Sequence, residues 1–240
     1  MKYGIISGIH GNREALGAVL RQLDRRGVQR IVCLGDIVGY NADPDECVAM
    51  LRERRAICIA GDHDLAGAGR ADPQRYPNSA LYSLKRTRRS LSPKSAAYLS
   101  SLPPHHALER AVLVHEAPED LARQFPESRL FFIGSSEQRN VCEVHHHGVR
   151  ELEADGKLQL DASCAYFIHT GAVDASRKRE HKLAECAILD TQAWTVEFLR
   201  ARYDTTAAEL KAAVFGYRIG PWTDWFYSFR RLMPRPLGWA

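Results

Sequence analysis

The chain is poor in the features that would settle its class at a glance. No stretch approaches about 18 consecutive apolar residues, so no membrane-spanning segment is expected. Residues 1–10 hold too short an apolar run for a secretory leader. Cysteine is sparse, with six in 240 residues and none in a CxxC pair. Cys33 and Cys58 sit inside apolar runs, and Cys47 lies in a helical pattern. Their placement, with Cys142, Cys164 and Cys186 read the same way, suits reduced thiols in a cytoplasmic protein. Internal repeats and low-complexity tracts are absent. Charge of one sign is also lacking: 33 Lys and Arg face 29 Asp and Glu, a formal balance of +4. That balance is scattered, so it points only weakly to an anionic partner, and nucleic acid is not favoured.

What is present is the composition of an ordinary globular protein, 45% hydrophobic and 26% charged. A length of 240 residues favours one large domain with a small appendage. The boundary is placed at a main domain, 1–202, followed by a C-terminal helix and an aromatic, basic tail, 203–240.

Short apolar runs alternate with helical patterns in the first third. Residues 2–7, 30–34 and 56–60 read as strands. Between the first two, Asn12 is placed to cap a helix whose Leu16, Val19, Leu20 and Leu23 fall on one face. Pro44 opens a second helix, with Val48 and Leu51 inward. Strand, helix, strand, helix, strand implies crossovers in a largely parallel sheet. Ser92-Pro93 starts a further helix that Pro103-Pro104 stops. Strands are expected again at 111–114 and 130–133. Beyond these, shorter runs at 149–152, 157–160, 166–168, 186–189 and 195–199 read as antiparallel strands with tight turns. Residues 205–215 read as a last helix.

Polar residues gather where the apolar runs stop. His10 follows the first and Asp36 the second. Asp62, His63 and Asp64 follow the third, His115 the fourth, and Ser135, Ser136 and Glu137 the fifth. In an open α/β sheet, ligands bind beyond the carboxyl ends of the strands. Imidazoles and carboxylates converging there suit Zn, Mn or Fe ions.

These segments carry a resemblance. Gly8-Ile9-His10-Gly11-Asn12, Gly35-Asp36-Ile37-Val38-Gly39-Tyr40 and Gly61-Asp62-His63-Asp64 stand in the order of the signature of calcineurin-like metallophosphoesterases, in their compact bacterial branch. Asp43-Pro44-Asp45-Glu46-Cys47, Leu91-Ser92-Pro93, Leu102-Pro103 and His115-Glu116-Ala117-Pro118 extend it over roughly residues 1–200. The resemblance implies an α/β, four-layer αββα sandwich of two mixed β-sheets flanked by helices. It implies one or two divalent ions, Mn, Zn or Fe, that activate water to hydrolyse a phosphate ester. His10, Asp36, Asp62, His115 and Glu137 would hold the metal. His63 would protonate the leaving oxygen or stabilise it, and Asp64 would orient its ring.

The departures are specific. The family places Asp where this chain has Gly8, and Asn where it has Asp62. The late Gly-His-Thr-His motif stands here as Gly134-Ser135-Ser136-Glu137, and Asn-Pro-Gly-Ser as His169-Thr170-Gly171-Ala172. Two outcomes are therefore kept open. One is a divergent phosphodiesterase or phosphatase acting on a phosphorylated small molecule or phosphodiester. The other is an inactive relative that binds a ligand or partner without hydrolysis.

Three further features stand apart. The tract His145-His146-His147 is read as a surface loop, with metal binding as the alternative. Asn41, in the loop after Tyr40, is read as a turn residue that could also meet substrate. In the tail, Pro221–Met233 mixes Trp222, Trp225, Phe226, Tyr227 and Phe229 with Arg230 and Arg231. It is expected to fold back over its own domain, with self-association into a homo-oligomer as the alternative and lipid or nucleic acid behind that.

Overall fold

Alternation along short strands builds the frame. In β1 (Lys2–Ile6) and β2 (Arg30–Cys33), Ile6, Ile31 and Cys33 face one way, Ile5 and Val32 the other. The computed structural model describes residues 1–108, 110–174 and 182–232; the end of the tail, 233–240, lies outside them.

One sheet has the order β3-β2-β1-β11-β12-β9, adding β3 (Ile57–Cys58), β9 (Lys157–Gln159), β11 (Ala184–Asp190) and β12 (Thr195–Ala201). β1, β2 and β3 are parallel, and the remaining pairs are antiparallel. The second sheet has the order β4-β5-β6-β10-β7-β8. It is formed by β4 (His105–Leu108), β5 (Ala111–Val114), β6 (Leu130–Ile133), β7 (Arg139–His145), β8 (Gly148–Leu152) and β10 (Ala165–Thr170). Its parallel core is β5, β6 and β10. Both sheets are mixed, as the resemblance implied.

Three apolar layers follow. Ile5, Val32, Leu34 and Ile59 from the first sheet meet Leu113, Leu130, Phe132, Tyr166 and Ile168 from the second. On the outer face of the first sheet, Ile6, Ile31 and Cys33 pack against Leu16, Val19, Leu20 and Leu23 of α1 (Arg13–Arg25) and Val48 and Leu51 of α2 (Pro44–Glu53). The outer face of the second sheet is more thinly covered. There Leu121 of the four-residue α6 (Leu121–Gln124) lies on Val112, Val114, Phe131 and Ile133.

The helix signals behave as local chemistry dictates. Asn12 Oδ1 accepts the Ala15 N–H at 2.9 Å, capping α1. Ser92 Oγ accepts the Ser95 N–H at 3.2 Å and opens α5 (Pro93–Ser100). The expected strand over 56–60 narrows to β3, because the Ala60 N–H donates to the Pro103 carbonyl at 2.8 Å instead of to a neighbouring strand. β4 and most of β7 carry too many polar groups to read as strands. His145 ends β7, and His146 and His147 form the turn into β8.

α3 (Asp62–Gly67) and α4 (Asn78–Ser90) lie between β3 and α5. α7 (Thr205–Val214) buries Ala208 and Ala212, and packs on α1. Lys211 of α7 pairs with Asp43 and with Glu14, the latter at 2.7 Å. α8 (Pro221–Leu232) lies on α4. All six cysteines are free. Among the described residues, no helix is long and apolar enough to cross a membrane.

Candidate metal centre

The parallel strands of both sheets end at one edge, and the loops leaving them are tied together. The His10 N–H donates to the Asp36 carbonyl at 2.9 Å, and the Gly11 N–H to that of Ile37 at 2.8 Å. His10 and Asp36 both hold positive φ, +51° and +56°. Side-chain-bearing residues rarely adopt that region, so the two residues are fixed by their surroundings. A third loop arrives at Gly61. A Cβ there would fall 2.2 Å from the Asp36 amide nitrogen and 2.4 Å from Asp36 Oδ1. Only glycine lets the start of α3 approach so closely, and the His63 N–H then donates to Asp36 Oδ1 at 3.0 Å.

Asp36 is the centre of the cluster. Its Oδ1 lies 3.5 Å from His115 Nε2, and its Oδ2 lies 3.9 Å from His10 Nε2. The other ring nitrogens face backbone carbonyls: His115 Nδ1 is 2.7 Å from Leu34 O, and His10 Nδ1 is 3.5 Å from Val38 O. A carbonyl partner at Nδ1 turns Nε2 toward the centre, the arrangement by which proteins orient metal-binding histidines. His10, Asp36 and His63 each bring a ligand atom within 4.8 Å of the others. His63 Nδ1 is buried with no hydrogen-bond partner. A buried imidazole with an unpartnered nitrogen, grouped with a carboxylate and further imidazoles, is a donor set that fits Zn, Mn or Fe.

Electrostatics agree with that fit. Burial opposes charge on Asp36, but His63, His115 and His10 together hold its carboxyl below the usual carboxylate range. Burial also pushes His63 down to about 4, so its ring is neutral at neutral pH. For His115, burial is outweighed by Asp36 and the Leu34 carbonyl, and its pKa is raised.

The sequence-derived set is only partly assembled. His10, Asp36, His63 and His115 meet. Asp62 opens α3 half-buried; its charge reaches His115 and Tyr76, but it forms no hydrogen bond or ion pair with the cluster. Glu137 is exposed and does not join the others. Ser136 Oγ and Gln138 bond to one another across it, and that tight turn leaves Glu137 outward. Asp64 does not orient the His63 ring. Its Oδ1 accepts the Ile37 and Val38 N–H groups at 2.8 and 3.1 Å, and its Oδ2 accepts the Gly61 N–H at 3.0 Å. It fastens the Asp36 loop to α3.

Other residues at this edge carried no sequence signal. The Asp174 N–H donates to the Gly8 carbonyl at 2.8 Å, and Asp174 Oδ1 accepts from Asn12 Nδ2 at 2.7 Å. The Asp174 backbone thus adjoins Gly8, where the family's Asp is missing, and its carboxylate is turned to Asn12. Arg218, between α7 and α8, donates to the Tyr40 carbonyl at 2.7 Å and to Asn41 Oδ1 at 3.1 Å. Asn41 Nδ2 in turn donates to the His10 carbonyl at 3.1 Å, so this residue braces the loop. Tyr40 lies 5.0 Å from the rings of both His10 and His63, and Tyr76 lies 5.5 Å from His63. His169, on β10, and the His145–His147 turn are not drawn into the cluster; among the described residues the one such group is His10, Asp36 and His63.

Comparison with known proteins points the same way. A model of the calcineurin-like phosphoesterase superfamily domain matches residues 1–194. The uncharacterized protein MJ0912 of Methanocaldococcus jannaschii is 31% identical over 219 residues, 85% of this chain and 88% of that one. A metallophosphoesterase from Sphaerobacter thermophilus superposes with a TM-score of 0.73 at 26% identity, covering 95% of this chain and 98% of its own. The hypothetical protein PH1004 from Pyrococcus horikoshii OT3 shares the fold, with a TM-score of 0.69 at 18% identity over 94% and 97% of the two chains.

Proposed function

The chain belongs to the calcineurin-like phosphoesterase superfamily, and from that premise we propose that it hydrolyses a phosphate ester with a divalent cation held by His10, Asp36, His63 and His115. The observation that carries this reading is the convergence of three imidazoles on the Asp36 carboxylate, across two sheets. The chemistry such a cation supplies when bound is polarisation of a phosphoryl oxygen and a lowered pKa for a nearby water.

The chain's own groups do the rest. Asp36 keeps its negative charge in a buried setting, faced by the His115 and His10 rings and by the His63 N–H. His63, neutral and unpartnered at Nδ1, offers a lone pair without needing to lose a proton. Tyr40 and Tyr76 pack against the imidazoles. Arg218 braces the Tyr40–Asn41 loop, and Asn41 holds the His10 carbonyl. Asp62 adds negative charge at the rim, and the Asp174 carboxyl, pushed up by burial, is held near Gly8 by Asn12. A phosphodiester or phosphomonoester is the substrate class this reading takes, and the six free cysteines suit the cytoplasm.

A second reading is favoured by Gly8 and by the outward Glu137: a cation or ligand held without turnover. One experiment separates the two. Chelator-treated protein is resupplied with Mn²⁺, Zn²⁺ or Fe²⁺ and assayed on aryl phosphodiesters and monoesters beside Asp36→Asn. Cation-dependent turnover absent from the variant supports hydrolysis. Bound cation with no turnover on any ester leaves the second reading standing, and the absence of bound cation removes both.

A further inference from the structure

α8 packs on α4 by one face. Asn78 Nδ2 donates to Asp224 Oδ1 at 2.9 Å and to Ser228 Oγ at 2.8 Å, and Tyr227 lies against Tyr82 and Lys85. The opposite face carries Trp222, Trp225, Phe226 and Phe229, spaced as one helical stripe. These four are 85%, 60%, 48% and 42% exposed. Folding of the chain over its own groove, expected from the sequence, is therefore not what these rings do. A contiguous row of exposed aromatics on one helix marks an interaction surface.

Charge tells what it fits. α4 carries Lys85, Arg86, Arg88 and Arg89, and residues 78–90 contain no Asp or Glu. Residues 225–240 add Arg230, Arg231 and Arg235, again without an acidic residue. Arg230 lies over the Phe226 ring at 5.9 Å, so a cation borders the aromatic stripe, while exposed Lys85 lies over the Tyr227 ring at 4.7 Å at the seam with α4. Twofold pairing of this face with a second copy would set these cations against each other. A headgroup layer bearing negative charge complements them, while Trp and Phe enter the boundary between headgroups and acyl chains.

We propose that α8 lies in the surface of an anionic membrane, with Trp222, Trp225, Phe226 and Phe229 inserted and Lys85 and Arg230 on the headgroups. The chain is then a peripheral membrane protein, held by the segment that also delivers Arg218 to the Tyr40–Asn41 loop.

The test uses the full chain and vesicles of equal parts phosphatidylcholine and phosphatidylglycerol, with pure phosphatidylcholine as control. Co-sedimentation with the anionic vesicles is expected, weakened by salt, with tryptophan emission shifted to the blue. The double variant Trp225→Ser/Phe229→Ser should lose about tenfold or more in partitioning, with its thermal unfolding unchanged because both rings are exposed. Lys85→Glu with Arg230→Glu should lose binding to anionic vesicles as well. Failure to bind anionic vesicles overturns the proposal, as does equal binding to neutral ones. A dimer in sedimentation equilibrium that the aromatic variant abolishes, without vesicle binding, also overturns it and assigns the face to a second copy.

Discussion

His115 and Asp36 come from different sheets, yet His115 Nε2 lies 3.5 Å from Asp36 Oδ1. β5 and β2 end at the same edge, and the Leu34 carbonyl, two residues before Asp36, takes the other nitrogen of the His115 ring. The contact therefore joins the two halves of the sandwich at the cluster. Replacing Asp36 by Asn removes the charge all three imidazoles face. Cation affinity is expected to fall about 100-fold or more, since even changes one shell further out cost 10–100-fold. Titration of the chelator-treated protein with Mn²⁺ or Zn²⁺ measures it, and unchanged affinity would remove Asp36 from the centre.

Asp64 makes a different prediction. Its carboxylate satisfies three buried amides, those of Ile37, Val38 and Gly61. Asp64→Asn turns one acceptor into a donor facing donors, and should cost about 2–4 kcal/mol of stability. Urea unfolding measures this, and a loss below about 1 kcal/mol would show that the loop does not depend on the carboxylate.

The pH dependence follows from His63. Burial holds the folded ring down to about 4, while in the unfolded chain it titrates near 6.5. Between those values the unfolded chain binds more protons, so this ring's contribution raises stability as pH rises and loses it as pH falls. The full effect is about 3 kcal/mol. Metal-free His63→Gln should lack this part of the slope when urea midpoints are compared from about pH 4 to pH 7; parallel slopes for both proteins would contradict a buried neutral ring.

Gly8 can be tested by restoring what the family has. Gly8 sits at φ +57°, a region Asp tolerates better than most residues. A Cβ there would lie 3.7 Å from His10 Nε2 and 3.0 Å from the Ala172 Cβ, so Ala172 must give slightly. Gly8→Asp with Ser135→His should raise the bound cation per chain. Elemental analysis decides, and an unchanged ratio would mean that these two side chains are not what limits loading.

Arg218 holds the Tyr40 carbonyl and Asn41 from outside the matched family domain. Arg218→Ala should leave cation content intact and lower kcat/KM about tenfold, mainly through KM, because the loop rather than the cluster is released. Loss of cation together with activity would instead make Arg218 part of the cluster's own support.

Much of this was legible in the sequence where the cause is local. Asn12 and the spacing of Leu16, Val19, Leu20 and Leu23 specify α1 without help, because capping and one-sided burial act within a few residues. The ordered motifs at His10, Asp36, Asp62-His63 and His115 gave the family and the edge where they meet. Adjacency misled at Asp64. It follows His63 directly, but the first turn of α3 aims its carboxylate back at the amides of Gly61 and of the Asp36 loop. Glu137 matched a motif position, yet the Ser136–Gln138 turn points it outward. Asp174 and Arg218 gave no signal, since each acts on loops more than 130 residues away in the chain.

The order of strands and helices, the caps, and the chemical types available at the strand ends were set by the chain alone, through hydrophobic period and local hydrogen bonding. Which of those groups share one space was decided by tertiary structure. Closing two sheets face to face fixes distances between loops that are remote in sequence, and a carboxylate finds imidazoles or amides according to that closure. The same holds for α8: its amphipathic pattern is in the sequence, but packing against α4 chose which face was left open.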